Sequence, residues 1–173
     1  HLAVALVIFS LLIWTGFDLR DGRAKLPKGH GMASLALLGI TILAGALVAG
    51  MDAGLLYNYY PLMGNGLVPE EYGEAGWLDP FENPAAAQFH HRWIAAVTFG
   101  AVVVLALKAR RRNLYLRGNL LLGAIVAQFI LGIVTLLHGV PIALGGMHQA
   151  GAVVLLGFLL ALLHGESHHR QNI

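Results

Sequence analysis

"ENPAAAQFHHRWIAAVTFGAVVVLALK", residues 82–108, sets two adjacent histidines and an arginine where an acidic stretch runs into an apolar one. Behind Arg92 come fifteen residues, 93–107, without one charge. At about 1.5 Å per residue, a hydrocarbon core about 30 Å thick needs roughly 20 residues of helix. The run therefore spans only if it is extended upstream to about Pro84, with His90, His91 and Arg92 in its outer turns. Titratable rings at the lip of a membrane span need a physical reason, and the rest of the chain supplies candidates.

The same apolar pattern recurs along the sequence. Of 173 residues, 57% are hydrophobic and 12% charged, with a mean hydropathy of +0.69; a soluble domain is about a quarter charged. Charge-poor runs at 1–17, 31–51, 93–107, 118–140 and 142–163 predict five transmembrane helices. Leu/Ala/Gly-rich runs of this length lack the alternation of barrel strands, so the fold class is all-α integral membrane. There is no cysteine, which excludes disulfides, thiolate metal sites and thiol catalysis. A net charge of +2 and a pI near 9.2 would suit nucleic acid. The basic residues, however, sit in short loops between spans, so no nucleic-acid partner is expected and the surroundings are membrane lipid. The chain opens on His1 with no initiator Met and no basic leader. It reads as a fragment or processed product, with residues 2–17 a span and not a signal peptide.

Lys and Arg set the orientation. Arg20, Arg23, Lys25 and Lys28 lie between spans one and two, Lys108, Arg110, Arg111, Arg112 and Arg117 between three and four, and Arg170 after five. Ten of the eleven basic residues thus share one side, which reads as cytoplasm or matrix. The loop 58–89 on the opposite side carries Glu70, Glu71, Glu74, Asp79 and Glu82, with Arg92 at its edge. The histidine lip faces outward.

Counting back from the cytoplasmic ends brings three histidines to one depth. His1 lies 17 residues before Asp18, His91 17 before Lys108, and His148 18 before Glu166. Each stands roughly 25–27 Å from the inner boundary at helical rise. An imidazole there costs free energy unless it is paired or bound. Two opposed imidazoles between helices commonly ligate a heme iron from both faces. A lone histidine at a membrane edge is more often an interfacial polar group. That reading suits His30, His164, His168 and His169 in cytoplasmic loop or tail, and His138 at the outer end of span four. His90 points about 100° away from His91 on a helix, so the two do not serve one iron. Zinc is disfavoured because no carboxylate or third histidine has ligand spacing. The matched depth singles out His91 and His148.

A second signal is internal repetition. "HLAVALVIFSLLI" from residue 1 and "HQAGAVVLLGFLL" from residue 148 share five of thirteen positions, the histidine among them. Span one then reads as the last helix of an earlier unit and spans two to five as a complete later one, within a protein of two four-helix units.

Four stretches now carry a family resemblance: "GALVAGMDAGLLYNYYPLMG" (45–64), "FENPAAAQFHHR" (81–92), "QFILGIVTLL" (128–137) and "MHQAGAVVLL" (147–156). Together they resemble the C-terminal half of heme A synthase, and "HLAVALV" is similar to the last helix of its N-terminal half. The resemblance implies two pseudosymmetric four-helix bundles, each with a histidine pair near the outer side. Residues 1–20 would be the last helix of the N-terminal substrate-heme bundle and 21–32 a cytoplasmic linker. Residues 33–165 would form the C-terminal heme b bundle and 166–173 a cytoplasmic tail. The family oxidises the C8 methyl of heme O to the formyl of heme A. By the same resemblance His91 and His148 match the heme b ligands, while His1 matches one of the N-terminal, catalytic pair and lacks its partner here. Where the N-terminal bundle carries a glutamate three residues before its first histidine, this chain has Gln88, which cannot relay a proton. Implied partners are heme O and its synthase, the N-terminal half of the same protein, and lipid; a homo-oligomer stays open. The implied location is the bacterial or mitochondrial inner membrane.

A bis-histidine iron has no open position and suits electron transfer. Arg92 could pair with a heme propionate or equally anchor its helix to lipid phosphate. Asp52, Tyr57, Asn58, Glu82 and Asn83 read as loop organisers more than propionate partners. Gly45, Gly50, Gly54, Gly100 and Gly151 read as close-packing positions, some making room for a porphyrin, and Trp77 and Trp93 as interface anchors. Two other functional classes remain beside the enzyme. One is a non-enzymatic diheme b-type carrier acting with quinone; the other is a heme-binding assembly or structural subunit.

Overall fold

Residues 1–169 are described by the computed structural model; of the expected tail, 170–173 lie outside them. Six α-helices form: α1 (Leu2–Asp21), α2 (His30–Gly50), the short α3 (Asp79–Glu82), α4 (Pro84–Arg110), α5 (Tyr115–Leu137) and α6 (Ile142–His169). Five of them, all but α3, are long and apolar enough to cross a membrane. Among the described residues no strand forms beyond an isolated bridge between Met63 and Gly66. The 27 residues of α4 include the upstream extension from Pro84, about 40 Å at helical rise.

Local chemistry fixes where these helices begin and turn. Asn83 caps α4, its Oδ1 accepting from the backbone N–H of Ala85 and Ala86, and Pro84 stands at the first helical position, where no N–H is needed. The α5–α6 turn passes through Gly139 and Val140, both at positive φ. It is held by the N–H of Val140 donating to Thr135 O at 2.9 Å.

Helices α2, α4, α5 and α6 pack in sequence around a four-helix bundle, each on the next, with a thinner α6–α2 seam closing the ring. Helices α4 and α6 therefore stand on a diagonal. Helix α1 buries no residue and lies along the outside of α6. The core is concentrated toward the basic end, where Leu38, Val102, Leu105, Ala106, Leu121, Ile125, Leu155, Leu159 and Leu162 are buried together. Between helices in lipid the gain comes from van der Waals contact and polar pairing, not from removing apolar surface from water. Thr41 and Thr98 supply one such pair, their hydroxyl oxygens 2.7 Å apart between α2 and α4; such a bond is worth about 0.6 kcal/mol.

The basic end corrects the reading of His164 as a loop or tail histidine. Its ring is fully buried in α6, with Nε2 2.9 Å from Asp18 Oδ1 of α1 and Trp14 edge-on at 5.1 Å between centroids. Arg117 of α5 donates to Ala161 O at 2.9 Å and meets Asp21 at 3.3 Å, joining α1 to the bundle a second time. His30 is likewise no free loop residue: it opens α2, and its Nε2 lies 2.9 Å from Ala101 O of α4. Glu166, expected in the tail, is buried within α6 and 3.4 Å from Arg112. The Asp18–His164 contact also sets the register of the two parallel helices. His1 is 17 residues above Asp18 and His148 is 16 above His164, so both stand at one height.

At the acidic end residues 51–83 fold into a cap. Asp79 is buried in it and accepts from the N–H of Gly73 and Ala75 and from Asn83 Nδ2. Burial pushes its carboxyl upward, but the backbone donors outweigh that and hold it below the usual value.

Candidate functional site

Between the cap and the core lies a level at which none of the four bundle helices buries a residue. The gap runs over 39–50 on α2, 89–97 on α4, 126–134 on α5 and 142–154 on α6. Above it Met63, Ala85, Ala86 and Gln88 are buried; below it Thr98 and Val102 are. At this level the bundle residues are half-buried or exposed, and the side chains that meet between the helices are the two histidines and Gln128.

Both expected ligands stand in this layer. His91 projects from α4 and His148 from α6, the diagonal pair. Each ring is seated on a glycine of the preceding bundle helix. A Cβ placed at Gly45 of α2 would lie 3.0 Å from His91 Cε1, and one at Gly132 of α5 would lie 2.8 Å from His148 Cε1. The two halves of the bundle thus repeat one arrangement, a helix glycine under an imidazole. Gly132 is the partner that sequence reasoning missed.

The His91 turn leaves polar atoms unspent. Gln88 Oε1, His90 Nδ1, His91 Nδ1 and Arg92 Nε are all buried without a hydrogen-bond partner. The Thr41 carbonyl approaches the His91 ring but does not reach hydrogen-bond geometry with Nδ1. Buried polar atoms are normally paired, so such a cluster marks a place where a ligand or water completes the set. Among the described residues no three His, Cys, Asp or Glu side chains gather as a bare-metal site. His91 and His148 are the residues here that could hold a flat heme-type group between α4 and α6, with the unspent polar atoms beside it at the cap edge.

The other candidates have definite places. His1 is the exposed N-cap of α1, at the height of His148 but on the outer helix. Arg92 reaches into the cap, where its two terminal nitrogens donate to the carbonyls of Tyr57, Tyr59 and Leu62 at 2.6–3.1 Å. It clamps the cap loop, a role beside the two weighed for it, and only Nε is left over. His90 turns away to the Tyr72 hydroxyl at 3.1 Å, and His138 ends α5 exposed, with Nδ1 2.8 Å from Val134 O. Asn58 ties the cap to α5 through Leu136 O at 3.1 Å. Tyr57 donates to Glu71 at 2.6 Å, which pushes the phenol up to about 12 and holds the carboxyl down. These are the loop organisers the sequence suggested. Gly54 and Gly151 pack closely against Val140 and Gln128, whereas Gly50 and Gly100 face open space. Trp77 is exposed, and Trp93 is exposed at 46%.

Comparison with known proteins converges on one family. Residues 1–160 match the family described as COX15-CtaA, cytochrome oxidase assembly protein. The chain is 43% identical over 172 residues to a protein named heme A synthase from Caulobacter vibrioides, covering 93% of this chain and 50% of that one. It is 45% identical over 176 residues to a heme A synthase from Rhodospirillum centenum, covering 95% and 47%. A heme A synthase from Wolbachia pipientis is 39% identical over 173 residues, covering 94% and 48%. The chain spans about half the length of these curated relatives. No solved structure matches it. The chain belongs to the COX15-CtaA family of cytochrome oxidase assembly proteins.

Proposed function

We propose that this chain is the heme b-holding half of a heme A synthase, an oxidoreductase that converts the C8 methyl of heme O to the formyl of heme A. The observation that carries the proposal is the diagonal pair His91 and His148, each seated on a glycine of the neighbouring bundle helix at one level of the bundle. A heme b held there by His91 and His148 would supply one-electron transfer. His91 and His148 hold it from opposite helices. Gly45 and Gly132 let the rings lie against their helices, which limits the ring angles available. Arg92, by clamping the cap over this layer, keeps water out and leaves Nε for the acidic edge of the ligand. Gln88, buried one turn before His91, has an amide that does not titrate, so this half has no proton relay at that point. Oxidation of heme O then belongs to a companion bundle to which α1 contributes His1, and that N-terminal half is a partner of this one. Heme O, its synthase and membrane lipid are the other proposed partners.

The location proposed is a bacterial or mitochondrial inner membrane, with the cap outside and the Arg110–Arg112 loop in cytoplasm or matrix. Single cysteines placed beside Glu71 are expected to react with an impermeant reagent from outside, and cysteines beside Arg111 are not. The reverse pattern would invert the orientation.

Activity is tested by extracting and chromatographing hemes from cells that supply heme O. The 173-residue chain alone is expected to bind heme b and yield no heme A. In the full-length synthase His1→Ala is expected to abolish heme A while keeping the heme b spectrum. Heme A made by this chain alone would show that the oxidising half has been assigned wrongly.

A further inference from the structure

The two candidate ligands have the same glycine seat but different second contacts. His91 has a buried Nδ1 with no partner. His148 is gripped by Gln128 of α5, whose Nε2 lies 3.1 Å from His148 Nδ1 and donates to His148 O at 2.8 Å. Gln128 stands one turn before Gly132 on the same helix, so one face of α5 supplies both the seat and the grip. On the other side, Gln128 Oε1 presses against Gly151 of α6, where a Cβ could not exist without displacing the amide. The residues of "QFILG" on α5 and "HQAG" on α6 thus build one three-part device: a glutamine, a glycine that admits it, and a glycine that seats the ring.

We propose that Gln128 is the positioning residue of His148, fixing its ring orientation and protonation so that Nε2 ligates, and that it lowers the reduction potential of the bound heme. The inference rests on the heme-binding reading above. When Nε2 ligates iron, Nδ1 carries the proton and needs an acceptor, and the Gln128 amide is the group in place to turn its carbonyl oxygen to it. In the present contact Nε2 faces Nδ1 and also donates to His148 O, which suits the unligated ring with Nδ1 bare; to accept from a protonated Nδ1 the amide turns Oε1 to the ring and gives up its bond to His148 O. An acceptor on the distal nitrogen raises the basicity of a metal-bound imidazole, which favours the oxidised iron.

The test is redox titration of the purified, heme-loaded full-length protein, read at the b-type bands with EPR of the oxidised form. Gln128→Leu, which fills the space without an acceptor, is expected to keep a six-coordinate low-spin heme at a higher potential. The shift corresponds to about a tenfold change in the reduced-to-oxidised ratio, 59 mV for one electron. Gly151→Ala, which pushes the amide aside while leaving Gln128 in the chain, is expected to shift the potential in the same direction. Gln128→Glu, a stronger acceptor, is expected to shift it downward. If Gln128→Leu fails to load heme, loading by Gln128→Glu supports the same role through rescue of the hydrogen bond. Unchanged potentials in all three variants, a rise with Gln128→Glu, or equal heme loss in Leu and Glu variants would overturn it. A wild-type low-spin spectrum that survives His148→Ala would instead sink the ligand assignment beneath it.

Discussion

In the heme-loaded protein, His148→Ala is expected to abolish the low-spin b-type spectrum, and His91→Ala to do the same, while His90→Ala leaves it intact. Each of the first two removes one of the two imidazoles proposed to hold the heme. Loss of a supporting outer partner typically costs 10–100-fold in metal affinity, so loss of an axial group is expected to exceed about 100-fold, or about 2.7 kcal/mol. His90 instead meets the Tyr72 hydroxyl at 3.1 Å, a bond worth about 1 kcal/mol to the cap, and packs against the Tyr72 and Phe89 rings. Heme retained in His91→Ala and lost in His90→Ala would reverse the assignment of the two neighbouring rings.

The second large effect is steric. Gly132→Leu and Gly45→Leu are expected to displace the rings that now lie 2.8 and 3.0 Å from where the new Cβ would stand. Overpacking of this kind costs typically 1–3 kcal/mol, which as lost binding is about 5- to 150-fold in heme affinity. An added side chain in mid-helix would by itself help by up to about 1 kcal/mol, so the clash decides the sign. Gly100 faces open space, and Gly100→Leu is expected to bind heme like the wild type. Heme titration with the three variants checks this; equal affinity in all three would mean the seats are incidental.

The five spans were legible because charge-free runs and membrane thickness leave few alternatives, and even the extension of α4 to Pro84 followed from the length a span requires. That His91 and His148 share a level was legible because helical rise turns a residue count into a depth. Their surroundings were not. The sequence holds 22 glycines, and nothing local marks Gly132 as the one beneath an imidazole; it becomes visible only once α5 and α6 are laid together. Gln128 was hidden for the same reason, being one polar residue in an apolar span whose target lies 20 positions away. His164 misled because a histidine near basic loops reads as solvated, while its partner Asp18 is 146 residues distant. Arg92 was expected to serve a propionate or a lipid phosphate, and its capture of three loop carbonyls follows from a fold of residues 57–62 that composition does not specify.

Low-temperature EPR of the oxidised, heme-loaded protein tests the central assignment most directly, because it reads the axial pair itself. A low-spin ferric signal typical of two imidazole ligands is expected, lost in His91→Ala and in His148→Ala. A high-spin signal in the wild type, or a low-spin bis-imidazole signal that persists when either histidine is replaced, would contradict it.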